Sequence, residues 1–165
     1  MKIVEKILGR IFIAIRSRIE HMMTVYNSSV IKNPTGSATV SGKVFLQYPE
    51  HISIGSCSYV NGGQLIASPN AYIKIGCNCL LSYNVHIRTD MHLYREAGIP
   101  IKEQGYREAD IIIEDDVWVG YGVQIFGGVT LGKGAVIGAG TVVTKDVLPN
   151  QVVVSGSMRV IGERK

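Results

Sequence analysis

The sequence predicts an all-β solenoid with an N-terminal α-helix and one protruding loop. Three observations lead there: aliphatic residues recur every six positions, glycines keep a fixed offset from them, and one polar stretch interrupts the repeat. Ile113, Val119, Ile125, Leu131, Ile137 and Val143 hold the spacing of six without a break. No helix has that period. Four residues after each member stands a second small or β-branched residue, at Val117, Val123, Val129, Ala135, Thr141 and Val147, so each unit is a short strand and a turn. Glycine follows the first position at Gly120, Gly132 and Gly138, where a tight corner is expected to call for a residue without a Cβ. The spacing recurs upstream at Ile54, Val60 and Ile66 and again at Ile75, Leu81 and Ile87, with three extra residues between the runs and with Gly55 and Gly76 in the glycine slot. One hexad cannot bury its own apolar side, whereas stacked coils gain a continuous core. Alternating strands can imitate a few hexads, but six in register with glycines do not fit that reading.

Composition agrees with a strand-and-turn chain. A length of 165 residues suits one domain. A hydrophobic share of 46% with 18% charged residues excludes disorder, and 19 glycines against 7% aromatics imply many turns and few large core plugs. Cys57, Cys77 and Cys79 are odd in number and lack both a Cys-x-x-Cys pair and a histidine cluster, so they read as thiols of a reducing cytoplasm, not as a disulfide framework or a zinc site.

The first element is a basic amphipathic helix, expected over residues 1–25. Ile3, Val4, Ile7, Leu8, Ile11, Phe12, Ile15 and Ile19 repeat at three and four residues, with Lys2, Lys6, Arg10, Arg16 and Arg18 between them. Five basic residues against Glu5 and Glu20 concentrate +3 of the chain's net +4 here. The longest apolar run, Ile11 to Ile15, is too short for a signal-peptide core or for a span of about 20 residues. Two readings stay open: a helix packed on the main domain or its oligomer, favoured because apolar faces usually find protein, and a helix over residues 1–20 resting on an anionic membrane surface. No nucleic-acid partner is expected.

The stretch IEDDVWVGYGVQIFGGVTLGKGAVIGAGTVVTKDV, from Ile113 to Val147, resembles the C-terminal coils of the hexapeptide-repeat acetyltransferases. Within them it is most similar to the galactoside and maltose O-acetyltransferases and the bacterial polysaccharide O-acetyltransferases. The resemblance covers roughly residues 50–162, and Trp118-Val-Gly and Val-Ile-Gly-Ala-Gly-Thr-Val-Val-Thr-Lys-Asp are its specific strings. It implies a left-handed parallel β-helix over residues 36–162 with three hexads per coil, a homotrimer, and acetyl-CoA as co-substrate in the cleft between adjacent subunits, with no metal. Handedness comes from the resemblance alone.

One loop, over residues 88–110, breaks the repeat. It is polar and carries Gly98, Pro100 and Gly105, and a long insertion in a regular solenoid is more often functional than idle. In the family this loop presents the catalytic histidine beside a neighbouring subunit, and His92 in Asp90-Met-His92 matches that position. A hydroxyl attacks a thioester slowly unless a positioned base takes its proton, and histidine titrates close to working pH. His92 is therefore the expected general base, the backbone amide of Tyr121 the expected oxyanion donor, and Asp90 a candidate for orienting the imidazole. His86 is the rival base or an acceptor contact. Its other reading is a surface histidine with no task.

For CoA the resemblance carries over Ala139, Thr144, Lys145 and Arg159, with the last two offering positive charge to phosphates. Trp118 would flank the pantetheine arm or pack across a subunit boundary. Tyr59 and Asn61 match a Tyr-x-Asn element that contacts sugar in galactoside acetyltransferases, or else form a coil corner. Asp115 and Asp116 read as turn chemistry, not a catalytic pair. The chain departs from the family at Ser155-Gly156-Ser157-Met158-Arg159, where Gly-x-Pro usually precedes the basic residue.

These residues point to an acetyl-CoA-dependent O-acetyltransferase acting on a sugar hydroxyl in capsule, lipopolysaccharide or exopolysaccharide assembly, in the cytoplasm or at the inner face of the membrane. The alternatives are an N-acetyltransferase of an amino sugar or antibiotic, a γ-carbonic-anhydrase-like zinc protein, and a solenoid without catalysis.

Overall fold

A computed structural model describes residues 2–156 and 159–163, with side chains from 4 to 156. A helix, Lys2–Val30, precedes short strands arranged on three parallel faces. The first face stacks Thr39–Val40, Tyr59–Val60, Leu80–Leu81, Trp118–Val119, Val136–Ile137 and Gln151–Val154, and an antiparallel strand, Arg159–Glu163, closes it. The second stacks Val44–Gln47, Gly63–Ile66, Val85–Arg88, Gln124–Phe126 and Val142–Val143. The third stacks Ile52–Ile54, Ile73–Ile75, Ile111–Ile113 and Thr130–Leu131, extended by a bridge from Leu131 to Val147. The chain visits the faces in that order on every coil. The architecture is the left-handed parallel β-helix expected, with one N-terminal helix.

The hexad residues form the core. On the first face Val60, Leu81, Val119 and Ile137 stand in register, and on the third Ile54, Ile75, Ile113 and Leu131 do the same. All of these are at most 4% exposed, and the second-position residues Val117, Val123, Val129, Ala135, Thr141 and Val147 are at most 3% exposed. Each fully buried Val, Leu or Ile contributes about 1.5–3 kcal/mol, so the repeat is itself the stabilising element.

Three expectations change in detail. Ile66 does not occupy the rung its spacing suggests: Leu65 pairs with Ile87 and Ile87 with Ile125, so the second coil is one residue short between Val60 and its next inward residue. Gly63 permits the shortcut, because it takes a φ of +122° and a Cβ there would land on the Val85 carbonyl. The glycine slot also serves a different purpose. Gly55, Gly76, Gly120 and Gly132 have no left-handed φ, but a Cβ on any of them would lie 2.5–2.8 Å from atoms of the next coil. The left-handed corner residue falls two places later, as at Gly122 and Gly134, or is Asp116, Asn78 or Cys57. Finally, the N-terminal helix extends to Val30, past residue 25.

Candidate active site

The repeat is lengthened three times, always at the edge between the second and third faces. From Leu46 to Ile54, from Leu65 to Ile75 and from Ile87 to Ile113 the chain takes eight, ten and twenty-six residues, against six from Ile125 to Leu131. These enlarged corners rest on one another. His51 Nδ1 lies 2.7 Å from the Ser68 carbonyl, and its ring packs 4.5 Å from that of Tyr72. Above them the Ser68 and Thr89 hydroxyls form a fully buried hydrogen bond of 2.8 Å. On the return side, Glu108 accepts from the Asn70 amide, while Asp110 accepts from the Tyr72 amide and from Lys74 Nζ, each at 2.8 Å. Burial alone would raise the Asp110 carboxyl, yet the Lys74 hydrogen bond, the Tyr72 amide and the Lys74 charge together hold it below its ordinary value. Both roots of the third insertion are thus seated on the corner below.

The insertion rises from these roots as an antiparallel hairpin, Asp90–His92 against Tyr106–Glu108, with His92 opposite Tyr106. The two rings pack at a tilt of 35° with centroids 4.4 Å apart. Gln104 holds the tip by donating to the Glu96 and Ile99 carbonyls. The His92 side chain is exposed and, among the described residues, its ring nitrogens make no hydrogen bond. It borders a cavity of about 450 Å³ shared with Tyr94, Glu96, Gln104 and Arg107. A base with one ring face supported and its nitrogens open to solvent is suited to taking a proton from an incoming hydroxyl.

The other expected site residues distribute as follows. Asp90 does not meet His92: Arg88 grips it through Nε at 2.7 Å and Nη2 at 3.2 Å, a two-point ion pair at the outgoing root. His86 sits on the second face with Nδ1 3.0 Å from Gln64 Oε1, and burial, aided by the Arg88 charge, holds it below its ordinary value. Five residues, with a bend at Thr89, separate His86 from His92, and among the described residues no three His, Cys, Asp or Glu side chains gather as a metal site. Trp118 is 54% exposed on the first face, in register with Leu80 and, below it, Tyr59. Asn61 follows Tyr59 at the edge between the first and second faces, its amide donating to the Leu81 carbonyl.

Tyr121 and Ala139 occupy that same edge one coil apart, and their backbone N–H groups donate to nothing among the described residues. The Tyr121 hydroxyl accepts from Asn84. Thr144 and Lys145 are exposed at the edge between the second and third faces, the one from which the hairpin leaves two coils earlier. Arg159 begins the closing strand opposite Val154, its side chain lying outside the described residues, as do Ser157 and Met158. Asp115 accepts from the Cys77 amide and Asp116 takes the left-handed turn, in keeping with turn chemistry. Burial pushes the Cys79 thiol up, so it behaves as a small core residue.

Sequence reasoning missed Tyr106, Thr89, Ser68, Glu108 and Asp110. Only the last two left a trace, as carboxylates spaced by two just before the repeat resumes.

Comparison with known proteins agrees with this geometry. The family described as the hexapeptide repeat of succinyl-transferase matches residues 110–145. YJL218W of Saccharomyces cerevisiae, provisionally named an acetyltransferase, is 35% identical over 139 residues, covering 81% of this chain and 69% of its own. A maltose O-acetyltransferase of Clostridium difficile 630 is 31% identical, with a TM-score of 0.70 over 82% of this chain and 70% of its own. A hexapeptide-repeat acetyltransferase of Vibrio cholerae is 26% identical, with a TM-score of 0.71 over 84% and 77%. That protein has also been solved with acetyl coenzyme A, at 27% identity and a TM-score of 0.66 over 81% of this chain and 67% of its own.

Proposed function

We propose that this chain, which belongs to the hexapeptide-repeat acetyltransferase family, moves the acetyl group of acetyl-CoA onto a sugar hydroxyl, with His92 as general base. The observation that carries the reading is the hairpin itself: an open imidazole, packed against Tyr106, on a hairpin whose two roots are locked to the solenoid. In the reaction a His92 nitrogen takes the hydroxyl proton as the acceptor oxygen bonds to the thioester carbon. The carbonyl oxygen gathers charge, and the N–H of Tyr121 receives it. Collapse breaks the C–S bond, and the departing thiolate takes the proton back from the imidazolium.

Trp118 and Tyr121 lie on the first face and its edge, whereas the hairpin leaves from the opposite side of the second face, so the two start from different edges of one protomer. A homotrimer in which each hairpin reaches a neighbour's first face resolves this. Acetyl-CoA would then run past Trp118 and the free amide of Ala139 toward Thr144, Lys145 and Arg159. Among the described residues Lys145 has no ion-pair partner. Asp90 serves the outgoing root through Arg88, and Tyr59 and Asn61 offer the acceptor a polar edge. The acceptor class proposed is a glycan precursor of capsule, lipopolysaccharide or exopolysaccharide assembly.

Labelled acetyl-CoA offered to a panel of sugars, nucleotide sugars and amino sugars tests the proposal. Label that appears on a sugar and is released by mild alkali, as an ester is, supports it. Alkali-stable label on an amine moves the acceptor to nitrogen, and no transfer from acetyl-CoA to any acceptor overturns the reading.

A further inference from the structure

The N-terminal helix docks by its polar side and leaves its apolar side uncovered. Asn27, 3% exposed, donates to the Ser41 and Val44 carbonyls at 2.9 and 3.0 Å, Thr24 accepts from the Gly42 amide, Ser28 accepts from the Val40 amide, and Glu20 pairs with Lys43 at 3.0 Å. Successive helix residues turn by about 100°, so these four share one side. Val4, Leu8, Ile11, Ile15, Ile19 and Met22 run down the opposite side and are 49–63% exposed. Every residue from 4 to 19 is exposed, a length of roughly 24 Å at 1.5 Å per residue. The helix therefore caps the first coil, as the reading favoured from sequence has it, but not with the face that its periodicity marks.

Two features identify what covers that face. With Ile7 and Phe12 added, the apolar arc spans about 140°, wider than the narrow seam of a coiled coil. The best seam available to a second copy, through Leu8, Ile15 and Met22 on one row and Phe12, Ile19 and Tyr26 on the other, would leave Val4, Ile7 and Ile11 of the same arc outside its two rows. Charge points the same way. Arg10 and Arg16 flank the arc, about 60° beyond Ile7 and about 40° beyond Phe12, with Glu5 as the one acid near its edge, and the first twenty residues carry +3. Arg18, inside the arc, can lay its stem along apolar neighbours and lift its guanidinium to the surface. No helix among the described residues is long and apolar enough to cross a membrane.

We propose that the helix lies in the plane of an anionic lipid bilayer surface, its apolar side at the boundary of headgroups and acyl chains and its arginines among the lipid phosphates. The opposite side stays on the first coil, so one helix joins solenoid and bilayer. The inference stands apart from the acetyl-transfer reading, because its test needs no substrate.

The full chain is sedimented with vesicles of equal phosphatidylglycerol and phosphatidylcholine, and with phosphatidylcholine alone. Binding to the anionic vesicles is expected, with Arg10→Ala plus Arg16→Ala lowering the partition constant about 30-fold. Ile11→Asp plus Ile15→Asp is expected to abolish sedimentation while leaving the thermal midpoint in place, since both side chains are half exposed on the side away from the solenoid. Wild-type chain that stays in the supernatant overturns the proposal, as does binding indifferent to the aspartates. Aspartates that dissociate an oligomer in a chain that never bound vesicles would assign the face to a second copy instead.

Discussion

Two parts of the chain project from the solenoid, and they are held in opposite ways. The hairpin is seated at both roots, through Ser68 and Thr89, through Arg88 and Asp90, and through Glu108 and Asp110 on the corner below. The helix is held at one end, by Glu20, Thr24, Asn27 and Ser28, and from residue 4 to residue 19 every residue is exposed. The contrast matches the two kinds of work proposed. Proton transfer requires an atom fixed to a fraction of an ångström. Lying on a surface requires only that a face be presented.

The largest effect that would sharpen this contrast is at the reacting atom. His92→Ala is expected to lower turnover by about two to four powers of ten with an unchanged thermal midpoint, whereas a helix change such as Phe12→Ser should leave turnover on a water-soluble acceptor intact. Equal activity in the histidine variant would hand the role to His86. Next comes the seat of the hairpin. A Cβ on Gly127 would land on the Thr89 carbonyl and lie 3.0 Å from that of Ala109, touching both roots at once. Gly127→Ala should cost about 1–3 kcal/mol in denaturant unfolding and depress turnover although His92 is untouched. Thr89→Val leaves the buried Ser68 hydroxyl without its partner, for a loss of about 1–2 kcal/mol by the same measurement.

The smallest effect follows acid. The folded chain holds Asp110 below its ordinary value, so its contribution is present above the unfolded carboxylate range and fades as pH falls through the folded value. The gap in thermal midpoint between wild type and Asp110→Asn should accordingly narrow on acidification, and it should be modest throughout because the carboxylate is 36% exposed. A gap that widened in acid would show that Asp110 is not what holds the incoming root.

How much of this was legible in the sequence depended on the range of the contact. The rungs were legible, because stacking repeats one short-range pattern and every sixth residue from Ile113 to Val143 is buried as its spacing requires. The slip to Leu65 was not, since it depends on how Gly63 passes beneath Val85, a neighbour 22 residues later. The position of His92 was legible, but its support was not: Ser68 and Thr89 are 21 residues apart, and Asn70 and Glu108 are 38 apart. Asp90 was assigned toward His92 when Arg88, two residues before it, was the nearer charge. Periodicity announced an apolar helix face without saying which way it looked.

The stepped corners along one edge carry a wider consequence. Because the hairpin stands on the shorter bend beneath it, and that bend on a shorter one still, the height and tilt of the imidazole are set two storeys down, in segments that contain no reacting group. Lengthening or trimming the bend at Ala67–Tyr72 would re-aim the base while every rung kept its place. A lineage could retune which hydroxyl is reached by editing the masonry and leaving the tool alone.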